Sequence, residues 1–91
     1  MTDPPPNLPT CDPRDRFFPI EWKESFYRRN FDSEANGYKC PGCDEIFRGT
    51  AGLKMLHADH VIPFSKGGLT VWSNLVLLCG PCNIAKGASG D

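Results

Sequence analysis

Four cysteines in two tight pairs, CPGC at 40–43 and CGPC at 79–82, constrain this chain more than any other feature of its sequence. Each pair sets two thiols on one side of a short turn. The pairs stand 35 residues apart, so one tetrahedral ion that takes a sulfur from each of Cys40, Cys43, Cys79 and Cys82 closes the long loop between them. Soft thiolates that fill every position suit zinc in a structural role and leave catalysis to other residues. A redox CxxC, disulfides or an iron–sulfur cluster are the alternatives, and four matched cysteines favour zinc over them. A chain of 91 residues has room for one domain and buries too little surface to be secure without such a staple. The fifth cysteine, Cys11, lies outside the pattern and reads as an ordinary free thiol.

With 40% hydrophobic and 23% charged residues the chain has the composition of a globular domain. No apolar run is long enough to span a bilayer. The start, MTDPPPNLPTCDPRD, lacks the basic and apolar regions of a secretory signal, so an intracellular (cytoplasmic) location is the default expectation. A net charge of −1 gives no general attraction to phosphate. Residues 1–45 hold six Lys/Arg against nine Asp/Glu (−3) and residues 46–91 four against two (+2), an asymmetry as consistent with sampling noise as with a mildly basic functional half.

Six of the nine prolines fall in the first 19 residues, which predicts an irregular proline-rich arm over 1–18 and a folded domain over 19–91. After Pro19, IEWKESFYRRN places Glu21 and Glu24 in a first turn, Arg28 and Arg29 in a last turn, and Trp22 four residues before Phe26, predicting a helix over 20–30. Trp22, Phe26 and Tyr27 read as core packing in preference to a base-stacking surface. A cysteine knuckle begins near residue 38. Beyond it LKMLHADHVI, 53–62, is compatible with a strand ending before Pro63, SKGG at 65–68 with a flexible loop, and Leu75–Leu78 with a second strand. CGPCNIAKG then supplies a short helix between Pro81 and Gly87.

Between and just beyond the cysteine pairs, Asp59 and His60 close the first strand, Asn74 precedes the second, and Asn83 follows the last cysteine; 13 residues separate His60 from Asn74, and eight separate Asn74 from Asn83. Over about residues 38–87 this order resembles the HNH endonuclease family. The resemblance implies a small α+β domain of the ββα-metal (His-Me finger) fold, with its core at about 54–87, stapled by the four-cysteine zinc site and preceded by the N-terminal helix. It implies hydrolysis of phosphodiester bonds in DNA, with His60 as general base activating water, Asp59 as a metal ligand, and Asn74 tying the loop between the strands. Asn83 stands where many members have His and would offer a carbonyl oxygen; with oxygen donors from Asp59 and Asn83, Mg²⁺ or Mn²⁺ suits the catalytic position better than zinc.

Two further expectations bear on geometry. Strand alternation places His57 on Asp59's face, where a structural role is favoured over metal support. It also places the neighbours Asp59 and His60 on opposite faces, so service to one site predicts a local distortion before Pro63. Lys66 and Lys86 are candidate phosphate contacts, and DNA is the expected partner, with room for a protein that supplies targeting. The competing readings are a non-catalytic, treble-clef-like zinc module that binds nucleic acid or protein, and an accessory domain that depends on a partner. The zinc module does not account for Asp59, His60, Asn74 and Asn83 at this spacing as catalysis does, whereas the salt dependence of DNA binding would report on the accessory domain.

Overall fold

The computed structural model describes residues 4–88, so the outermost parts of the expected arm and domain, 1–3 and 89–91, lie outside the described residues. The first helix, α1, runs Ile20–Arg29, with Glu21 in its first turn and Arg28 and Arg29 in its last, each sign matched to the helix dipole. Asn30 closes it, donating from Nδ2 to the Phe26 carbonyl at 2.9 Å. Trp22 and Tyr27 are buried and Phe26 half-buried, so the aromatic stripe is core. Tyr27 Oη lies 3.0 Å from the Phe47 carbonyl and 3.1 Å from that of Gly49, which ties α1 to the segment that follows the knuckle.

The knuckle is a small hairpin in which β1 (Tyr38–Lys39) pairs antiparallel with β2 (Ile46–Phe47). Its turn is held by Asp44 N–H donating to Cys40 O at 2.8 Å and Cys40 N–H donating to Glu45 O at 2.9 Å. A short helix, α2 (Gly49–Lys54), comes next, where the sequence predicted that Leu53 and Lys54 already begin a strand. Gly52 explains the difference: its N–H bonds Arg48 O at 2.8 Å, and its bare Cα lies so near Phe47 that a Cβ there would be 2.7 Å from the Phe47 carbonyl carbon. That contact closes a helical turn, and no side-chain alternation announces it.

The central hairpin joins β3 (Leu56–His60) to β4 (Leu75–Cys79) in one unbroken antiparallel register, Leu56 opposite Cys79 through to His60 opposite Leu75. Residues 61–74 connect them through two single 3-10 turns, Phe64–Lys66 and Trp72–Asn74. The strand stops at His60, earlier than predicted, because Ile62 leaves the ladder and is held by the Asn74 side chain. The last helix, α3 (Gly80–Ala88), starts directly from β4, with Pro81 in its first turn where a missing N–H does no harm. The order is strand, loop, strand, helix, a ββα unit within an α+β domain.

Residues directly opposite in an antiparallel pair share a face. Leu56, Leu75, Leu77 and Cys79 therefore join Trp22, Tyr27, Tyr38, Cys40 and Phe47 in the core, while α3 packs on β3 and β4 and α1 on β4. Leu77 and Leu56 are 0% and 1% exposed, so truncating either to Ala is expected to destabilise by about 2–5 kcal/mol. Residues 4–18 have irregular backbone, yet they wind back onto the domain. Pro9 O accepts from Trp22 Nε1 at 2.7 Å and Pro13 O from Thr70 N at 2.8 Å, and the Phe18 ring sits 5.9 Å from that of Trp22.

Candidate active site and zinc staple

The sulfurs of Cys40, Cys43, Cys79 and Cys82 all lie within 4.8 Å of one another, with Cys43 and Cys79 3.7 Å apart. Zinc–sulfur bonds of about 2.3 Å give a tetrahedron with edges of about 3.8 Å, so the cluster fits a zinc ion. The knuckle glycine is required by close approach, because a Cβ on Gly42 would stand 2.8 Å from Cys82 Sγ. Burial pushes the Cys40 thiol up, but backbone N–H groups of Cys79, Gly42 and Cys43 outweigh it and bring it down to about 7. The Cys82 thiol, hydrogen-bonded to Cys79 and desolvated, is pushed up to about 12. Zinc must displace the proton from such a thiol, so its binding strengthens as pH rises.

Asp59, His60 and Asn74 are buried at 7%, 7% and 8% exposure, a concentration of polar groups that an apolar core does not need. Asn74 is fully used. Its Oδ1 accepts from Ile62 N at 2.8 Å, and its Nδ2 donates to Ile62 O at 3.1 Å and Leu69 O at 2.9 Å, so one amide clasps both ends of the loop. Gly68 lets that loop fold, since a Cβ there would fall 1.8 Å from Ile62 O.

The predicted distortion of β3 is absent, and the open edge of the strand does its work instead. Asp59 is opposite Val76 and His60 opposite Leu75, so their side chains leave on different faces, as alternation demands. Val61 N–H bonds Asn74 O across the ladder, which makes His60 and Leu75 the non-hydrogen-bonded kind of pair and turns the His60 N–H and C=O outward. Asp59 Oδ1 accepts that N–H at 2.8 Å, and Lys86 Nζ donates to that C=O. A cavity of about 300 Å³ wraps the same edge, lined by Ala58, Asp59 and His60 of β3, Asn83 and Gly87 of α3, Phe64 of the loop, and Arg16, Phe17 and Phe18 of the N-terminal segment. Carboxylate, imidazole and amide thus meet in one space although they project from different faces and elements.

Asp59 Oδ2 is buried and accepts no hydrogen bond among the described residues; Lys86 Nζ stands 3.2 Å away, close enough for an ion pair but not aligned for a hydrogen bond. A buried carboxylate oxygen of this kind, with the Asn83 amide on the same cavity, offers the hard oxygen donors that a Mg²⁺ or Mn²⁺ ion accepts. Lys86 is therefore held against the carboxylate, and Lys66 lies exposed on the 3-10 turn away from the cavity lining. His57 shares Asp59's face but is exposed, its Nε2 3.7 Å from where a Cβ on Gly80 would be, and it neither lines the cavity nor caps the core.

Several cavity residues escaped the sequence reading. The Phe18 ring lies 4.4 Å from the His60 ring, Phe64 lies 5.5 Å from it, and the Arg16 guanidinium sits 5.6 Å over Phe64. Thr70, 1% exposed, places Oγ1 2.8 Å from His60 Nε2. A run such as DRFF within a proline-rich stretch carries no periodic signal that would bring it to His60, more than forty residues further on.

Fold and site together define a ββα domain stapled by four cysteines, with a carboxylate, a histidine and an amide gathered at one strand edge. A family model described as HNH endonuclease matches residues 40–89, 50 of the 91 residues, and the chain belongs to the HNH endonuclease family. No curated protein and no solved structure matches the chain significantly. Among the described residues no helix is long and apolar enough to cross a membrane.

Proposed function

We propose that this protein is a metal-dependent endonuclease that hydrolyses phosphodiester bonds in DNA. The observation that carries the proposal is the meeting of His60, Asp59 and Asn83 on one cavity beside the hairpin edge. In this reading His60 takes a proton from the attacking water, a task suited to a group whose ordinary pKa is about 6.5. Asp59 and Asn83 would hold a Mg²⁺ or Mn²⁺ ion, which when bound supplies positive charge to the scissile phosphate and the leaving 3′ oxygen. Asn74 keeps the 61–74 loop closed beneath the base. Arg16 at the cavity lining and Lys66 on the exposed turn bind phosphate oxygens, and Lys86 holds the Asp59 carboxylate in place. Phe17 and Phe18 supply apolar wall to the cavity, Phe18 lying against the His60 ring.

Incubation of the zinc-loaded protein with supercoiled plasmid and Mg²⁺ or Mn²⁺ tests the proposal, with EDTA and His60→Ala as controls. Nicked or linear product that requires both the metal and His60 is the expected result. A folded, zinc-loaded protein that cuts under no metal condition would instead be a treble-clef-like zinc module that binds nucleic acid or protein, or would need a partner for targeting. Loss of DNA affinity as salt rises would report phosphate contacts in either case.

A further inference from the structure

A histidine can act as base only through the ring nitrogen that lacks a proton, so whatever fixes its tautomer decides whether it works. Here the neighbour of His60 is Thr70, and Thr70 is gripped by the N-terminal segment at every polar atom it has. Its N–H donates to Pro13 O at 2.8 Å, its carbonyl accepts from Cys11 Sγ at 3.6 Å, and its hydroxyl donates to the Asp15 carbonyl. Phe18, from the same segment, covers the imidazole with ring centroids 4.4 Å apart.

The proton count settles the direction of each bond. Thr70 Oγ1 carries one hydrogen, and the Asp15 carbonyl can only accept, so that hydrogen goes to Asp15. Oγ1 then faces His60 Nε2 at 2.8 Å as an acceptor, and the contact is a hydrogen bond only if Nε2 carries the proton. In the neutral imidazole, the form that can act as a base, the lone pair then falls on Nδ1.

We propose that Thr70, set by residues 11–15 of the N-terminal segment, is a positioning residue that holds His60 as the Nε2–H tautomer and so reserves Nδ1 to take the proton from water. The segment that reads as a mere arm thus becomes part of the catalytic centre. The reserved role of Nδ1 rests on the nuclease reading, whereas the tautomer itself does not. Nothing in the sequence marks Thr70, because the partners that set it in the N-terminal segment lie 55 to 59 residues away along the chain.

The test compares Thr70→Val, which keeps the shape and removes the hydroxyl, with Thr70→Ser, which keeps the hydroxyl. Each is made in the full chain with zinc bound. Long-range ¹H–¹⁵N spectra of the neutral imidazole report the tautomer, and plasmid nicking with Mn²⁺ reports the rate. In the wild type His60 is expected as the Nε2–H form. Thr70→Val should shift the tautomer ratio toward Nδ1–H by about fivefold or more, the worth of one hydrogen bond. It should also slow nicking by about 10–100-fold, as loss of an orienting partner does elsewhere. Thr70→Ser should restore both.

An unchanged Nε2–H form in Thr70→Val overturns the proposal, as does a shifted tautomer with an unchanged rate. If Thr70→Val does not fold, Thr70→Cys, of similar size and a far weaker acceptor, is read in the same way. If the wild type cuts nothing, the nuclease reading falls, while the tautomer shift still supports the hold on His60 and its absence still overturns it.

Discussion

Replacing Asn74 by Asp changes one NH₂ into an oxygen and leaves the shape of the side chain almost untouched, yet it should undo the 61–74 loop. In the native protein the amide accepts one hydrogen bond from Ile62 N at 2.8 Å and donates two, to Ile62 O at 3.1 Å and Leu69 O at 2.9 Å. A carboxylate keeps the first and turns the other two into contacts between an anion and carbonyl oxygens. Two lost hydrogen bonds amount to about 2 kcal/mol, and the repulsion raises this to about 3 kcal/mol. A domain of 91 residues has only about 5–14 kcal/mol in all.

The sign of the pH effect separates this account from ordinary destabilisation. The two carbonyls and the burial raise the introduced carboxyl's folded pKa above its unfolded value of about 3.9. The folded variant then binds the proton more tightly than the unfolded chain, and its deficit shrinks as pH falls from 7 through the folded pKa toward 4. Asn74→Ala carries no such group, so the difference between the two variants at each pH cancels the separate weakening of zinc binding by acid. Urea unfolding of wild type, Asn74→Asp and Asn74→Ala at pH 7 and pH 5 provides the measurement. An Asn74→Asp protein within about 0.5 kcal/mol of wild type at pH 7 would refute the reasoning, because the two donor bonds would then contribute nothing.

Chelating the zinc, or replacing Cys43 by Ser, should unfold the domain, since structural zinc supplies on the order of 10 kcal/mol in small modules; loss of chemical-shift dispersion checks it. The midpoint of zinc loss should move to lower zinc concentration as pH rises, because protons compete for the same sulfurs. Gly68→Ala should open the 61–74 loop and destabilise by about 2 kcal/mol or more, since the clash at 1.8 Å is with the Ile62 backbone oxygen and has no flexible side chain to give way; thermal melts read it. Lys86→Met should weaken the metal-free protein by about 1–3 kcal/mol, discounted for the 25% exposure of the Lys86 side chain. The same variant should tighten Mn²⁺ binding by calorimetry, because a cation beside Asp59 Oδ2 repels a second one.

The amino-acid sequence by itself determined the parts whose spacing is dictated by a local turn or a shared ion. Two matched CxxC pairs favour one shared metal over redox or disulfide use, and the cluster of four sulfurs agrees with that reading. The 20–30 helix was legible because its charges match a dipole and its aromatics match a turn, both short-range signals. The order of Asp59, His60, Asn74 and Asn83 was legible as a motif, and strand alternation correctly put Asp59 and His60 on opposite faces.

Only the tertiary structure decided how those residues come together. The expected kink in β3 does not exist because the hairpin has an open edge, and a cavity that wraps an edge reaches both faces at once. His57 has the face that alternation predicted but not the place, because the same face extends beyond the cavity toward the start of α3. Arg16 and Phe18 were invisible as neighbours of His60, since they reach its cavity across more than forty residues of chain, and Thr70, ten residues on, is set there by contacts with the N-terminal segment that obey no period. Periodicity and motif spacing report what a residue's own element requires of it, whereas the company it keeps is set by how separate elements close on one another.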